Sequence, residues 1–503
     1  MSETASGGHA PRCVALVGPY ATGKTTLLEA LLYTSGTIDR QGSVEDETSV
    51  GDTAPEARER GMSVEVDAAA ASYLDDPWHV LDCPGSVEFM QDAYNALMVA
   101  DAAVVVCDPD PERAATVGPL LKFLDDRAIP HVLFLNKMDS GTASLRDMLA
   151  AYQNVSDRPL VLREVPYGDG ERVTGFIDLV SERAYDMEET TRGDLVRIPE
   201  DVRQQEAEAR QEMLEHLADH DDHLLEELLE DINPATDEIY DNLSRDFHED
   251  LIVPVFFGSA RNLQGIQRLW KALRHEAPEP AETATRQGLD PEGKGFLGRV
   301  FKTRYAGHAG KQSLVRVWRG TLTDSTTVDG GRVGGLFDVQ GGRTKKRNKA
   351  GAGEVVAVNR LDEVPTGALI SEGRGATDAA ADDWPEPLPG VYALAGAPVE
   401  AGDDVKLTEA LRKLCDEDPS LSTEQREEPH ELIVWGQGDI HLQTVVQRLH
   451  DRFGLEVTTG RPHTPYRETL RKGASQHARH KKQTGGLECP LAAGSLDGER
   501  DSV

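Results

Sequence analysis

Four short stretches in the first half of the chain hold residue types and spacings that could do chemistry. GPYATGKT (Gly18 to Thr25) has the spacing G-x-x-x-x-G-K-T, with Pro19, Tyr20, Ala21 and Thr22 between Gly18 and Gly23. Its glycines let backbone N–H groups close on phosphate oxygens, Lys24 offers a point charge to the β- and γ-phosphates, and the Thr25 hydroxyl suits Mg²⁺. DCPG carries Asp82, Cys83, Pro84 and Gly85. Asp82 is expected to face Mg²⁺ through water, and the N–H of Gly85 to meet a γ-phosphate and register its presence. NKMD carries Asn136, Lys137, Met138 and Asp139. The Asp139 carboxylate can accept from guanine N1–H and the exocyclic amine, a donor pair adenine lacks. Gly258, Ser259 and Ala260 close the set, with a backbone N–H within reach of guanine O6. D-x-x-G and G-S-A are common turns by themselves, so the ordered set carries the reading: GTP or GDP with Mg²⁺.

Strands and helices must hold these loops. CVALVG, VLDCPG, AAVVVCD, HVLFLNKMD and LIVPVFFGSA are apolar runs without alternation. Such runs predict strands buried on both faces, hence a parallel sheet covered by helices, with each motif at a strand's carboxyl end. TTLLEALLYTSG predicts a helix with Leu27, Leu28, Leu31 and Leu32 on one stripe and Gly36 as its stop. From about 158 to 250 a strand–turn–strand pattern and an acidic helical stretch predict an insertion. The expected units are a GTP-binding domain over 10–285, a small β-barrel over 294–372 and a ferredoxin-like α+β domain over 388–460. In the last, Leu407, Ala410, Leu411 and Leu414 line one helix, and Leu442, Val445, Val446, Leu449 and Phe453 the other.

Composition bounds the rest. Against 53 Lys and Arg stand 88 Asp and Glu, a formal net charge of −35. That argues against indiscriminate nucleic-acid binding and against a DNA partner, while allowing a local basic patch. RTKKRNK (Arg343 to Lys349) suits RNA or plain solvent, and Arg461 to Gly486 is basic. His477 and His480 lack a partner ligand at metal spacing. Five cysteines without a C-x-x-C pair read as small buried residues in a reduced cytoplasm. No signal-type core or membrane-length apolar run occurs. A cytoplasmic monomer without membrane contact is the expectation.

The motif order, with ERGMSVE (Glu59 to Glu65), KLTEALRKLCDEDPS, GQGDIHLQTVVQRL and PYRETL (Pro465 to Leu470), resembles elongation factor G over roughly 12–486. The resemblance implies a GTPase working on the ribosome, its rRNA and proteins, in translocation or ribosome disassembly. It implies a G domain with an insertion, a β-barrel, a ferredoxin-like module and the start of a fourth domain at 461–486. It places Ser63 where the family offers a threonine hydroxyl to Mg²⁺ and the γ-phosphate, so the expected metal set is Thr25, Ser63 and Asp82. Lys24, Ser63, Gly85 and Ser86 form the expected hydrolytic set.

Three departures touch that set: Ser63 for threonine, Ala21 for the usual P-loop aspartate, and Ser86 for the histidine that orients the attacking water. Losing a positioning group slows phosphoryl transfer while leaving binding whole. A GTP-dependent ribosome-binding regulator with weak hydrolysis is thus the alternative. The stretch 487–503 resembles nothing in the family, which adds a third reading: a truncated or frame-shifted remnant.

Overall fold

The computed structural model describes residues 9–464 except 140–143, 169–172, 187–193, 307–309, 329–330, 373–383, 401 and 427–430. PYRETL, His477, His480, Cys489 and the stretch 487–503 lie outside the described residues.

Each apolar run becomes a strand. β1 (Arg12–Val17), β2 (Asp67–Tyr73), β3 (Asp76–Asp82), β4 (Ala102–Cys107), β5 (His131–Leu135) and β6 (Leu160–Leu162) precede the insertion. Four antiparallel strands, β7 (Glu164–Gly168), β8 (Val173–Asp178), β9 (Arg183–Asp186) and β10 (Asp194–Val196), form the insertion's own sheet. β11 (Val253–Phe257) then returns to the main sheet, whose order is β2-β3-β1-β4-β5-β11-β6. Every pair from β3 to β6 in that order is parallel. The insertion therefore leaves the sheet only after Leu162, later than the expected 158, because a three-residue Leu-Val-Leu run is too short to stand out as a strand. β2 is a further addition: alanine-rich, it pairs antiparallel to β3 through Leu74 and Asp75, whose φ values of 50° and 68° fit a tight hairpin turn.

Helices cover both faces, as all-parallel strands require. α1 (Lys24–Thr34) packs Leu27, Leu28, Leu31 and Leu32 on one face, beside the later helix that carries Ile266, Leu269 and Trp270. α2 (Pro55–Arg60) is short. α3 (Met90–Leu97), α4 (Gly118–Asp126) and α5 (Leu145–Gln153) bury Ala96, Leu121 and Tyr152 on the opposite face. In the insertion, α6 (Arg203–Ala218), α7 (Asp222–Leu229) and α8 (Thr236–His248) pack around Met213, Leu217, Leu224 and Leu243. After β11 the main domain ends with α9 (Ile266–Glu276) and α10 (Pro280–Arg286).

The strands Leu297–Ala306, Gly310–Arg319, Val355–Asn359 and Leu336–Gln340 pair antiparallel around Val300, Val315, Val317 and Val356, forming the β-barrel domain. Gln340 pairs with Ala69, and the N–H of Gly341 donates to Ala68 O at 2.8 Å, stitching barrel to main sheet. RTKKR is a strand of this barrel rather than a loop, with Arg343 to Lys346 exposed and Arg347 paired to Asp338 and Glu354 at 2.7 Å each. In the third unit the strands order Ser422–Arg426, Glu431–Gly436, Tyr392–Pro398, Val457–Gly460. α11 (Asp404–Glu417) and α12 (Asp439–Phe453) bury Leu407, Leu411, Leu442, Val445 and Leu449 against them, the ferredoxin-like arrangement. No described helix is long and apolar enough to cross a membrane.

Candidate nucleotide site

The four motifs meet at the carboxyl edge of the main sheet, around an open cavity of about 720 Å³. Tyr20, Ala21, Gly23, Lys24 and Thr25 line one wall, Ser63 and Gly85 another, and Asn136, Lys137, Asp139 and Ser259 the far end. Gly23 has φ 92° as the N-cap of α1, a conformation that disfavours any side chain. The helix N-terminus it opens aims N–H groups and positive partial charge into the cavity. Lys24 is 5% exposed and donates to Pro19 O at 2.9 Å. Burial pulls its amine below the ordinary range, against the Asp82 carboxylate, which favours the charged form. A Cβ on Gly85 would collide with the Lys24 amine and with the carbonyls of Gly18 and Pro19. Only a bare backbone brings that loop so close to the lysine.

Behind Lys24 hard oxygen atoms gather. The Thr25 and Ser63 hydroxyl oxygens lie 3.5 Å apart. Asp52 lies beside them: burial raises its pKa, and the Ser63 and Thr25 hydroxyls work to lower it. Asp82 is 1% exposed, and its Oδ1 has no hydrogen-bond partner among the described residues. Burial, then the neighbouring Asp52 charge, push Asp82 well above the ordinary carboxylate range, with the Thr25 hydroxyl opposing. Two carboxylates sharing a buried corner are costly unless a cation neutralises them. The donor set, carboxylate and hydroxyl oxygen, is the kind Mg²⁺ takes, so these residues fit that ion.

At the far end, Asn136 spends its amide as a staple. Its Nδ2 donates to Thr22 O at 2.8 Å and its Oδ1 accepts from the N–H of Ala260 at 2.9 Å, tying the first motif to the last. Lys137 donates to Ala21 O at 2.6 Å. Met138 is buried in the core, and its N–H donates to Gly258 O at 3.1 Å. Asp139 is exposed toward the cavity. Cys83 is fully buried, like Cys13 and Cys107, and burial pushes the last two thiols up to about 12. Gly18, Pro19, Thr22, Asp82, Cys83, Pro84, Ser86, Met138 and Ala260 are not among the residues that line the cavity. Ser86 accepts the Glu88 N–H at 3.3 Å and so begins the short 3₁₀ turn Val87–Phe89.

Sequence reasoning passed over Asp52. Nothing in its neighbourhood marks it, since an aspartate before a Pro-Glu helix start is an ordinary loop residue. It passed over Glu29 as well, placed among the leucines of α1. Glu29 is fully buried and accepts from the N–H groups of Val50 at 2.5 Å and Gly42 at 2.9 Å, anchoring the loop that leads to Ser63.

Family comparison agrees with this geometry. Residues 10–279 match the elongation factor Tu GTP binding domain, 295–370 elongation factor G domain 2, and 385–461 elongation factor G domain III. An elongation factor G-like protein of Synechocystis sp. is 44% identical over 476 residues, covering 94% of this chain and 70% of the relative. The chain belongs to the elongation factor G-like translational GTPases. A crystal structure from Thermus thermophilus superposes with a TM-score of 0.84 at 29% identity, over 95% of this chain and 71% of that one. The fold is therefore that of the family: an elongation factor Tu-type GTP-binding domain, the domain 2 β-barrel and the α+β domain III. Its GTP-binding domain implies guanine nucleotide and hydrolysis of GTP as the coarse activity.

Proposed function

We propose that this elongation factor G-like protein binds GTP with Mg²⁺ and acts on the ribosome, hydrolysing GTP slowly by itself. The gathering of Thr25, Ser63, Asp52 and the orphaned Asp82 oxygen directly behind Lys24 carries this reading. Lys24 and the N-terminus of α1 hold the β- and γ-phosphates. Thr25 and Ser63, with Asp82 and Asp52 around them, hold the metal, which when bound offsets charge on the phosphate oxygens. Gly85 offers its N–H to the γ-phosphate. Asp139 selects guanine, backed by the Asn136 staple, and the backbone around Ser259 and Ala260 closes the base end. The ribosomal role is translocation or ribosome disassembly.

A second reading is a GTP-dependent ribosome-binding regulator with little turnover. Ser86 favours it: its hydroxyl engages the N–H of Glu88, and it offers no imidazole to orient a water. Titration of a fluorescent GDP analogue into wild-type and Lys24→Ala protein tests nucleotide binding. Saturable uptake that falls roughly a hundredfold in the variant is expected, since a charge-assisted phosphate contact is lost. Absence of uptake by the wild type overturns both readings. Single-turnover hydrolysis with and without ribosomes separates them.

A further inference from the structure

α12 of domain III carries two buried stripes. Leu442, Val445 and Leu449 face their own sheet, as an amphipathic helix should. His441, Thr444 and Arg448 recur at helical spacing on another face and are buried too. Asp418 and Glu417 of their own domain cover part of that stripe, and the G domain covers the rest. At the N-terminus of α12, Glu88 accepts the N–H of His441 at 2.7 Å. Glu88 stands two residues after Ser86, at the end of the loop carrying Gly85. The helix has no side-chain cap of its own: Gly438 occupies the N-cap, and a Cβ there would collide with the Glu88 carboxylate. A carboxylate from another domain thus fills the place of an N-cap and meets the positive end of the helix dipole. Phe89 seals the joint, edge-on to the His441 ring at 5.2 Å.

Further along the same stripe, α12 grips the segment that carries Ser63. Arg448 pairs with Glu65 at 3.1 Å and with Glu56, and Arg452 reaches Glu56 at 2.7 Å. Gln447 donates to Glu59 at 2.6 Å. Ala54, Ala57, Met62, Val64 and Phe89 form one small apolar cluster beneath these contacts. One rigid helix therefore touches the loop before and after Ser63 and the loop after Gly85 at once. The two loops line the same cavity.

We propose that Glu88 is a positioning residue for γ-phosphate recognition, its carboxylate on the N-terminus of α12 holding the Gly85–Ser86 loop in place. This inference rests on the nucleotide reading above. Capping of α12 by Glu88 favours the arrangement in which Gly85 closes on a γ-phosphate, and so favours GTP over GDP. The coupling is reciprocal: a bound γ-phosphate strengthens the cap.

The test compares the affinities of fluorescent GDP and of a fluorescent non-hydrolysable GTP analogue for the full chain. Variants are Glu88→Ala, Glu88→Gln and Gly438→Ala, the last attacking the cap from the opposite domain. Gly438 is extended, with φ −179°, so alanine there meets the carboxylate first and adds no backbone strain. Glu88→Ala and Gly438→Ala are expected to weaken the GTP analogue roughly tenfold while leaving GDP within about twofold, with Glu88→Gln in between. Faster hydrogen exchange of the His441 amide in Glu88→Ala is expected alongside. Equal weakening of both nucleotides in Glu88→Ala and Gly438→Ala means a merely structural contact and overturns the proposal. So does an unchanged ratio in Glu88→Ala and Gly438→Ala, with wild-type binding intact; the nucleotide reading then survives. Failure of the wild type to take up either nucleotide sinks both.

Discussion

At the scale of single residues, the departures from the family pattern have distinct physical costs. Ala21 sits at φ 62° and offers its carbonyl to Lys137. An aspartate, the family's usual residue there, tolerates that left-handed backbone better than alanine does. Ala21→Gly is expected to stabilise the fold by about 1 kcal/mol, read as a higher thermal midpoint, because glycine meets no penalty at positive φ. A lower midpoint would mean the loop is held by other means. Ser86 differs in kind: its hydroxyl accepts the Glu88 N–H and starts a 3₁₀ turn. Ser86→His is expected to raise single-turnover GTP hydrolysis on ribosomes by roughly two orders of magnitude, the low end of what a positioned acid–base group contributes. No gain would place the limiting step elsewhere.

At the scale of elements, the junction between the G domain and domain III is held by ion pairs rather than by a broad apolar face. The His441 Nδ1 accepts the N–H of Gln437 at 3.1 Å, so its Nε2 donates to Asp418, 3.0 Å away. Burial works to raise the Asp418 pKa, but His441 and the Ser420 contact hold it below the ordinary carboxylate range. Burial likewise opposes, and Arg304 and Arg448 lower, the pKa of Glu65. A folded-state pKa below the unfolded one stabilises above the unfolded value, and that stability is lost as pH falls. The urea midpoint is therefore expected to drop as pH falls below about 4, and Asp418→Asn to drop less over the same interval. Parallel curves would remove Asp418 from the account. Of these elements, the five apolar strands of the main sheet and the apolar stripes of α1, α11 and α12 were legible in the sequence, because hydrophobic pattern follows directly from burial. The polar stripe of α12 was not: His441, Thr444 and Arg448 read as a solvated face until Asp418, Glu417 and the G domain cover them.

At the scale of the molecule, charge is distributed unevenly. Arg12, Arg163, Arg316, Lys302, Lys311 and Arg448 are buried, paired or hydrogen-bonded within or between domains. Each of those pairs takes one carboxylate out of play with each base, so the whole surplus of −35 falls on the remaining groups. Repulsion among exposed carboxylates is screened by salt, whereas buried pairs are screened far less. Raising KCl from about 0.1 M to about 1 M should lift the thermal midpoint by several degrees, as the Debye length shrinks. A fall would mean that surface ion pairs outweigh the repulsion.

The sequence by itself determined the nucleotide-binding edge, since glycine spacing, a lysine and strand-ending carboxylates are local chemistry written in consecutive residues. It determined the three-domain order for the same reason: apolar period and turn residues act over a few positions. Only the tertiary structure decided that Asp52 joins Asp82 and that Asn136 staples two loops together. It also decided that Glu88 caps a helix more than 300 residues away, at Asp439. Such contacts join groups far apart in the chain, and no periodicity records which distant surface will bury a charge.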